Sequence, residues 1–320
     1  MNRAAFPLRH TQAGLTLIEL MIAMVLGALL IGGVGSIVIA SGQTNRANQA
    51  LAQLQENTRT AFELLARDIR QAGVTGCGVL SDRVFVSDDI SDPVGGVTDW
   101  TGIRGYDHNA TAPGVTTGAA TGNRVAGTHA ILVQAITGTG ARLLDVDSDA
   151  EYDKDGNVTS EERHYTFPTP DLDIDDGDIV VACNSGGAAV FEASGVSGDD
   201  DETTVTDSSG RPYADLPDGM IALLNSTVWY VGNNEEGGRS LYRRRSDGTT
   251  EEVVPGITDM QIAYRQGDDA NFVASPTDWA EVTAVEVTLT AVSLDDRGGR
   301  EGGRIERSFT SLIGLRNIRI

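Results

Sequence analysis

One stretch restricts the fold before any other. From Leu20 to Ala40 the chain reads LMIAMVLGALLIGGVGSIVIA, without a charged residue. A run of this length crosses a hydrocarbon core as one helix, because about 20 residues rising 1.5 Å each span roughly 30 Å. Arg3, Arg9 and His10 precede it, so the positive-inside rule keeps the N-terminus cytoplasmic and sends the rest across. A cleaved secretory signal would have a shorter apolar core ending in small residues of the A-x-A kind, and "IVIASG" fits that poorly. One acid, Glu19, stands at the start of the run. A carboxylate at the centre of a bilayer costs about 2.5–3.5 kcal/mol on insertion scales, so Glu19 needs a partner and a purpose.

Beyond Ala40 the chain stays helix-forming but turns polar: SGQTNRANQALAQLQENTRTAFELLARDIRQAG. Ala47, Leu51, Leu54, Thr58, Ala61 or Phe62, Leu65 and Ile69 recur at spacings of three and four, which is one face of a helix. Gly73 supplies a stop. Read as continuous, the helix runs from 15 to 72, or ~87 Å at about 1.5 Å per residue. Its first part, 15–40, would lie in membrane, and the second would offer an apolar stripe to a folded head. Gly27, Gly32, Gly33 and Gly35 either allow close helix packing or are ordinary membrane-helix glycines.

Residues 73–320 form that head. Residues 1–72 take six arginines and four acids, leaving 18 basic and 42 acidic residues of the chain's 24 and 46 for the head, an excess of 24 negative charges. Such a field repels nucleic acid and anionic lipid, so the head is not a nucleic-acid binder. Short apolar runs at 128–136, 177–184, 219–232 and 281–293 read as strands between Gly-, Asp-, Thr- and Ser-rich turns. In the last run Val285, Val287, Leu289 and Ala291 alternate with Glu286, Thr288 and Thr290, the period of a half-buried strand. Asp247-Gly248 marks a hairpin. The expected fold class is α+β: a long N-terminal helix, transmembrane then amphipathic, packed on a mainly antiparallel β head. Residues 86–127 read as a long loop or insertion rather than core. The two cysteines, Cys77 and Cys183, either bridge or stay as separate buried thiols, and an exported head favours the bridge.

Two acidic stretches stand out. "EYDKDGNVTSEE" (151–162) has the spacing of a calcium loop, with Glu151, Asp153 and Asp155 at positions 1, 3 and 5, Gly156 at 6 and Glu162 at 12. Glu at position 1 and strand-like flanks argue against a helix-loop-helix, and the competing reading is an acidic solvated loop. "DLDIDDGD" (171–178) reads as an acidic turn. His10, His108, His129 and His164 lack zinc-ligand spacing, and no G-x-S-x-G, H-E-x-x-H or P-loop pattern occurs. No catalytic residue is expected, and no cofactor beyond that calcium.

"AGLTLIEL" with the apolar run behind it resembles the class III leader of type IV prepilins. The resemblance implies a leader at 1–14, cleavage after Gly14 by prepilin peptidase, and methylation of the new N-terminus at Leu15. Glu19 maps onto the family's fifth-position glutamate. It would meet the new amine of a neighbouring subunit during assembly, or mark the substrate for processing, or both. "ELLARDIRQAGVTGC", "LYRRRSDGTTEEVVPGITDMQIAYRQG", "DWAEVTAVEVTLTAVS" and the terminal "RSFTSLIGLRNIRI" are similar to PilW-like minor pilins. These segments cover the helix and roughly the last hundred residues, whereas about 80–215 carries no resemblance. The implied setting is a single-pass inner-membrane protein with a periplasmic head, later part of a pilus at the cell surface. Its partners would be other minor pilins, the major pilin and a tip adhesin. A J-type pseudopilin of type II secretion and an adhesive tip module are the alternatives.

Overall fold

The computed structural model describes residues 16–77, 84–87, 90, 101–152, 154, 158–169, 172–209, 216, 218–296 and 303–316. One helix, α1 (Leu17–Gln71), opens the chain. Its first thirty-three residues include no buried side chain; its second part buries Ala50, Leu54, Thr58, Ala61, Leu65, Ala66 and Ile69. The stripe read from the sequence is therefore present from Leu54 onward. At its upper end it rotates, so that Ala50 is buried while Ala47 and Leu51 are only half-covered. The helix stops at Ala72, and Gly73 follows at φ 76°, a left-handed conformation that a side chain would strain. There Gly102, also at positive φ (69°), crosses the chain so closely that a Cβ on it would lie 2.5 Å from the Gly73 nitrogen.

Fifteen strands follow among the described residues: β1 (Val84–Val86), β2 (Ile103–Tyr106), β3 (Ala130–Arg142), β4 (Asp145–Tyr152), β5 (Val158–Pro168), β6 (Ile179–Asn184), β7 (Gly187–Glu192), β8 (Ser194–Gly198), β9 (Glu202–Asp207), β10 (Met220–Asn233), β11 (Arg239–Arg245), β12 (Thr250–Pro255), β13 (Ile257–Gln266), β14 (Val282–Val292) and β15 (Glu306–Gly314). They make three sheets. The main sheet runs β1-β7-β6-β10-β11-β12, with β3 also on β10 and β2 on β3. A second sheet is β4-β5-β9-β8, and a third is β13-β14-β15. All pairings are antiparallel except β1 with β7. The α+β class and the helix-on-β-head arrangement are thus observed.

Apolar burial explains how the layers join. The helix stripe meets Trp229, Val231 and Leu241 of the main sheet and Ile262, Val285, Val287 and Leu289 of the third, forming one core. Tyr165, Phe167 and Val205 of the second sheet pack on Val180, Ala182 and Phe191 of the main sheet in another. Removing a fully buried Leu such as Leu65 from such a core costs roughly 2–5 kcal/mol.

Residues 101–127 correct the loop reading of 86–127. They supply β2 and bury Ile103, Ala112, Val115 and Val125. Ala112 and Val115 cap a cluster with Leu132, Val228, Tyr230 and Tyr242. Arg124, 2% exposed, holds this cap together: Nη1 donates to Ala110 O (2.8 Å), Nη2 to Asp107 O (2.6 Å) and Nε to Thr128 O (3.1 Å). A planar fork of five donors satisfies several buried carbonyls at once, which an ammonium does not. Residues 88, 89 and 91–100 of that stretch lie outside the described residues.

Candidate functional site

The apolar half of α1 is the feature with the plainest chemical consequence. Leu17, Ile18, Met21, Leu29, Leu30 and Ile31 are all at least 60% exposed, and an eighteen-residue window of mean hydropathy 2.5 has none of its residues buried. No soluble head tolerates such a rod in water; it requires lipid or other apolar helices. At its start Thr16 caps the helix. The Glu19 N–H donates to Thr16 Oγ1 (3.4 Å), while Thr16 N–H (3.1 Å) and Oγ1 (2.9 Å) both donate to Glu19 Oε2. This is a reciprocal capping box, written in the sequence as T-x-x-E. It answers half of what Glu19 needs, since Oε2 is hydrogen-bonded within its own chain. Oε1 has no partner among the described residues and can accept from a donor outside the chain. Gly14 and Leu15 lie outside the described residues, as do Arg3 and Arg9.

Cys77 and Cys183 are joined as a disulfide, with Cα atoms 6.0 Å apart. The bridge ties the segment leaving α1 to β6, next to the apolar cluster of Ile179, Val181, Val190 and Leu224. Helix and head are thus linked covalently as well as by packing.

Of the calcium-loop residues, Glu151 lies on β4 and Glu162 on β5, in register with Ser160 and Asp149 respectively. The surrounding element is the antiparallel pair β4 and β5, not a helix-loop-helix. Asp153 and Asp155 lie outside the described residues, and no group of three or more His, Cys, Asp or Glu is placed to hold a metal among the described ones. In the 171–178 turn the carboxylates serve the backbone: Asp178 Oδ2 accepts from Asp175 N (2.9 Å) and Asp176 Oδ1 from Val196 N (2.8 Å).

A feature that sequence reasoning misses lies where α1 ends on the main sheet. A cleft of about 590 Å³ is lined by Arg67, Asp68, Asn225, Arg243 and Arg245, among others. Asp68 Oδ2 accepts the Trp229 indole N–H at 3.0 Å, and the Arg243 guanidinium sits 5.4 Å over the Trp229 ring. Arg243 and Arg245 both bond Glu251, whose carboxyl they hold below the usual carboxylate range. The cleft is largely self-satisfied, and its residues are far apart in sequence, so no local motif announces it.

A lipid-length apolar helix with a capping-box glutamate in its first turn, continuing into a β head, is the arrangement expected of a pilin-like protein. Comparison with known families agrees. The model described as the prokaryotic N-terminal methylation motif matches residues 9–35. The chain is therefore type IV pilin-like, anchored through its N-terminus, and the motif implies processing by a prepilin peptidase and partners among pilus components. No curated protein and no solved structure matches it.

Proposed function

We propose that this chain is a PilW-like minor pilin that takes part in starting or capping a type IV pilus. The peptidase cuts after Gly14 and methylates Leu15, and the mature subunit waits in the inner membrane with its head in the periplasm. On assembly the exposed half of α1 passes from lipid into the filament core. The new Leu15 amine of one subunit meets Glu19 of a neighbour, so two charges that would be costly alone in an apolar medium are neutralised together. The role is structural and involves no catalysis. What supports the reading is one observation: α1 is a single unbroken helix whose apolar half is bare and whose other half is gripped by the head. The free Oε1 of Glu19 suits it to a contact in trans.

Two variants test this. Gly14→Phe is expected to leave the precursor uncut by intact mass analysis, and normal processing would falsify the leader assignment. Glu19→Ala is expected to be cut normally yet to be lost from sheared filaments. Unchanged incorporation would remove the pairing role.

A further inference from the structure

The triplet Asn-x-Ser/Thr occurs three times in the chain, at Asn109-Ala110-Thr111, Asn157-Val158-Thr159 and Asn225-Ser226-Thr227. In a chain exported across a membrane this triplet accepts an N-linked glycan, provided that it lies on the surface. The Cys77–Cys183 disulfide is of the kind that persists in oxidising compartments beyond the cytoplasm, where such glycans are attached. Burial separates the three triplets. Asn225, Ser226 and Thr227 lie within β10, paired with β3, and Ser226 and Thr227 are only 2% and 6% exposed. A sugar there would hold β10 out of the main sheet. Asn157 lies outside the described residues.

Asn109 differs on each count. It stands in the turn that follows β2, where His108, Asn109, Ala110 and Thr111 are all exposed. Asp107 Oδ1 accepts the N–H groups of Asn109 (2.8 Å) and Ala110 (2.9 Å), and Arg124 donates to the Asp107 and Ala110 carbonyls. The backbone of the turn is therefore fixed without the Asn109 side chain. Among the described residues its carboxamide bonds only the ring of His108, Nδ2 lying 2.9 Å from Nε2. Other asparagines of the head spend their carboxamides on the fold: Asn233 Nδ2 donates to Gly118 O (2.8 Å), and Asn234 Oδ1 accepts from Gly238 N (2.7 Å). Asp107 is held below the usual carboxylate range by its two N–H bonds, so it stays ionised two residues before Asn109. Asp155 stands at the same distance before Asn157, whereas Leu223 stands there before the buried Asn225.

We propose that Asn109 is the acceptor of an N-linked oligosaccharide. The donor class is an oligosaccharide carried on a polyprenyl diphosphate, and the enzyme is a membrane oligosaccharyltransferase acting on the outer face of the bilayer. Asn109 Nδ2 bonds to the anomeric carbon of the first sugar and gives up one proton. The bond from that carbon to the diphosphate oxygen breaks, and polyprenyl diphosphate leaves with the electron pair, so nothing is oxidised or reduced. Thr111 supplies the hydroxyl that the triplet requires, and the ionised Asp107 offers a basic subsite a charge to read. Transfer precedes folding, while residues 107–111 are still extended, and Arg124 then closes the turn beneath the sugar. The product displaces no buried contact, only the bond to His108. This inference needs a head on the far side of the membrane and not the minor-pilin reading.

The test uses the full chain purified from the membranes of the cells that make it naturally. It is digested and sequenced by mass spectrometry with electron-transfer fragmentation, which keeps sugars in place. The peptide bearing Asn109 is expected to carry an oligosaccharide mass on the asparagine, and the peptide bearing Asn225 none. Asn109→Gln and Thr111→Val are each expected to abolish that mass, and Thr111→Ser, which keeps the hydroxyl, to retain it. Both side chains are exposed, and retention in Thr111→Ser separates loss of the acceptor triplet from any effect on folding. A bare Asn109 in the natural protein would overturn the proposal. So would a mass that survives Asn109→Gln and disappears in Thr111→Val, because the sugar would then be linked to the threonine oxygen. Processing at Gly14 is read from the N-terminal peptide, so failure here leaves the pilin-like reading standing.

Discussion

At the scale of single residues, the side chains that matter most are those whose polar groups are satisfied by distant partners. Glu19 and Thr16 are an exception, because the capping box is local and legible as T-x-x-E. Arg124 is not legible: its carbonyl partners span residues 106–128, and nothing in "TGNRVAG" says that the arginine points inward. His129 is a similar case. It reads as an isolated histidine, yet its Nδ1 lies 3.0 Å from the Ile262 N–H and links the main sheet to the third. Burial, chiefly, together with the nearby Arg124 and His108 charges, holds the ring below its ordinary value of 6.5, against the pull of the Ile262 carbonyl and Asp107. In the window between the lowered value and 6.5 the unfolded chain binds a proton that the folded chain does not. The stability contributed by the neutral ring is thus complete above 6.5 and is lost as pH falls through the folded value. His129→Gln is expected to flatten that part of a melting-temperature-against-pH curve, and an unchanged slope would show that the ring does not contribute to it.

At the scale of elements, apolar runs reveal their positions and polar strands do not. The runs at 128–136, 177–184, 219–232 and 281–293 correspond to β3, β6, β10 and β14, and Asp247-Gly248 turns β11 into β12 with Gly248 at φ 81°. β4 (DVDSDAEY) and β9 (ETTVTD) have almost no apolar alternation, because β4 buries none of Asp145–Glu151 and β9 buries only Val205 and the polar Asp207. The number of sheets is equally hidden, since strand pairing depends on partners far along the chain; the described head holds three. The disulfide belongs to this scale as well. Cys77 and Cys183 are 106 residues apart, and closing so long a loop is worth about 4–5 kcal/mol in the chain-entropy model. Replacing both by Ser is expected to lower the unfolding free energy by roughly 2–5 kcal/mol in denaturant titration. A change within error would mean that the packing around β6 alone sets the stability.

At the scale of the whole molecule, charge and shape act together. With a formal charge of −22 the chain repels itself, and compact states carrying one sign of charge gain from screening. Raising salt from about 20 mM to about 500 mM, which shortens the screening length from tens to a few ångströms, is expected to raise the melting temperature of the full chain in neutral detergent. A flat response would mean that local pairs such as Arg243–Glu251 already offset the field. The pilin-like class is open to reading from the first forty residues. The choice of Asn109 among three Asn-x-Ser/Thr triplets is not, because it turns on which of them a strand buries.

Between the end of the apolar run, Ala40, and the first buried residue, Ala50, lies a short length of helix with no buried side chain. Ten residues at about 1.5 Å raise the head roughly 15 Å above the oily slab. That stand-off exceeds the screening length of salt, about 8 Å at physiological ionic strength, beyond which surface charge is largely screened. A bulky anionic cargo can therefore be parked over a phospholipid leaflet of its own sign without being pushed away, and its lower surface stays wet and open to neighbours.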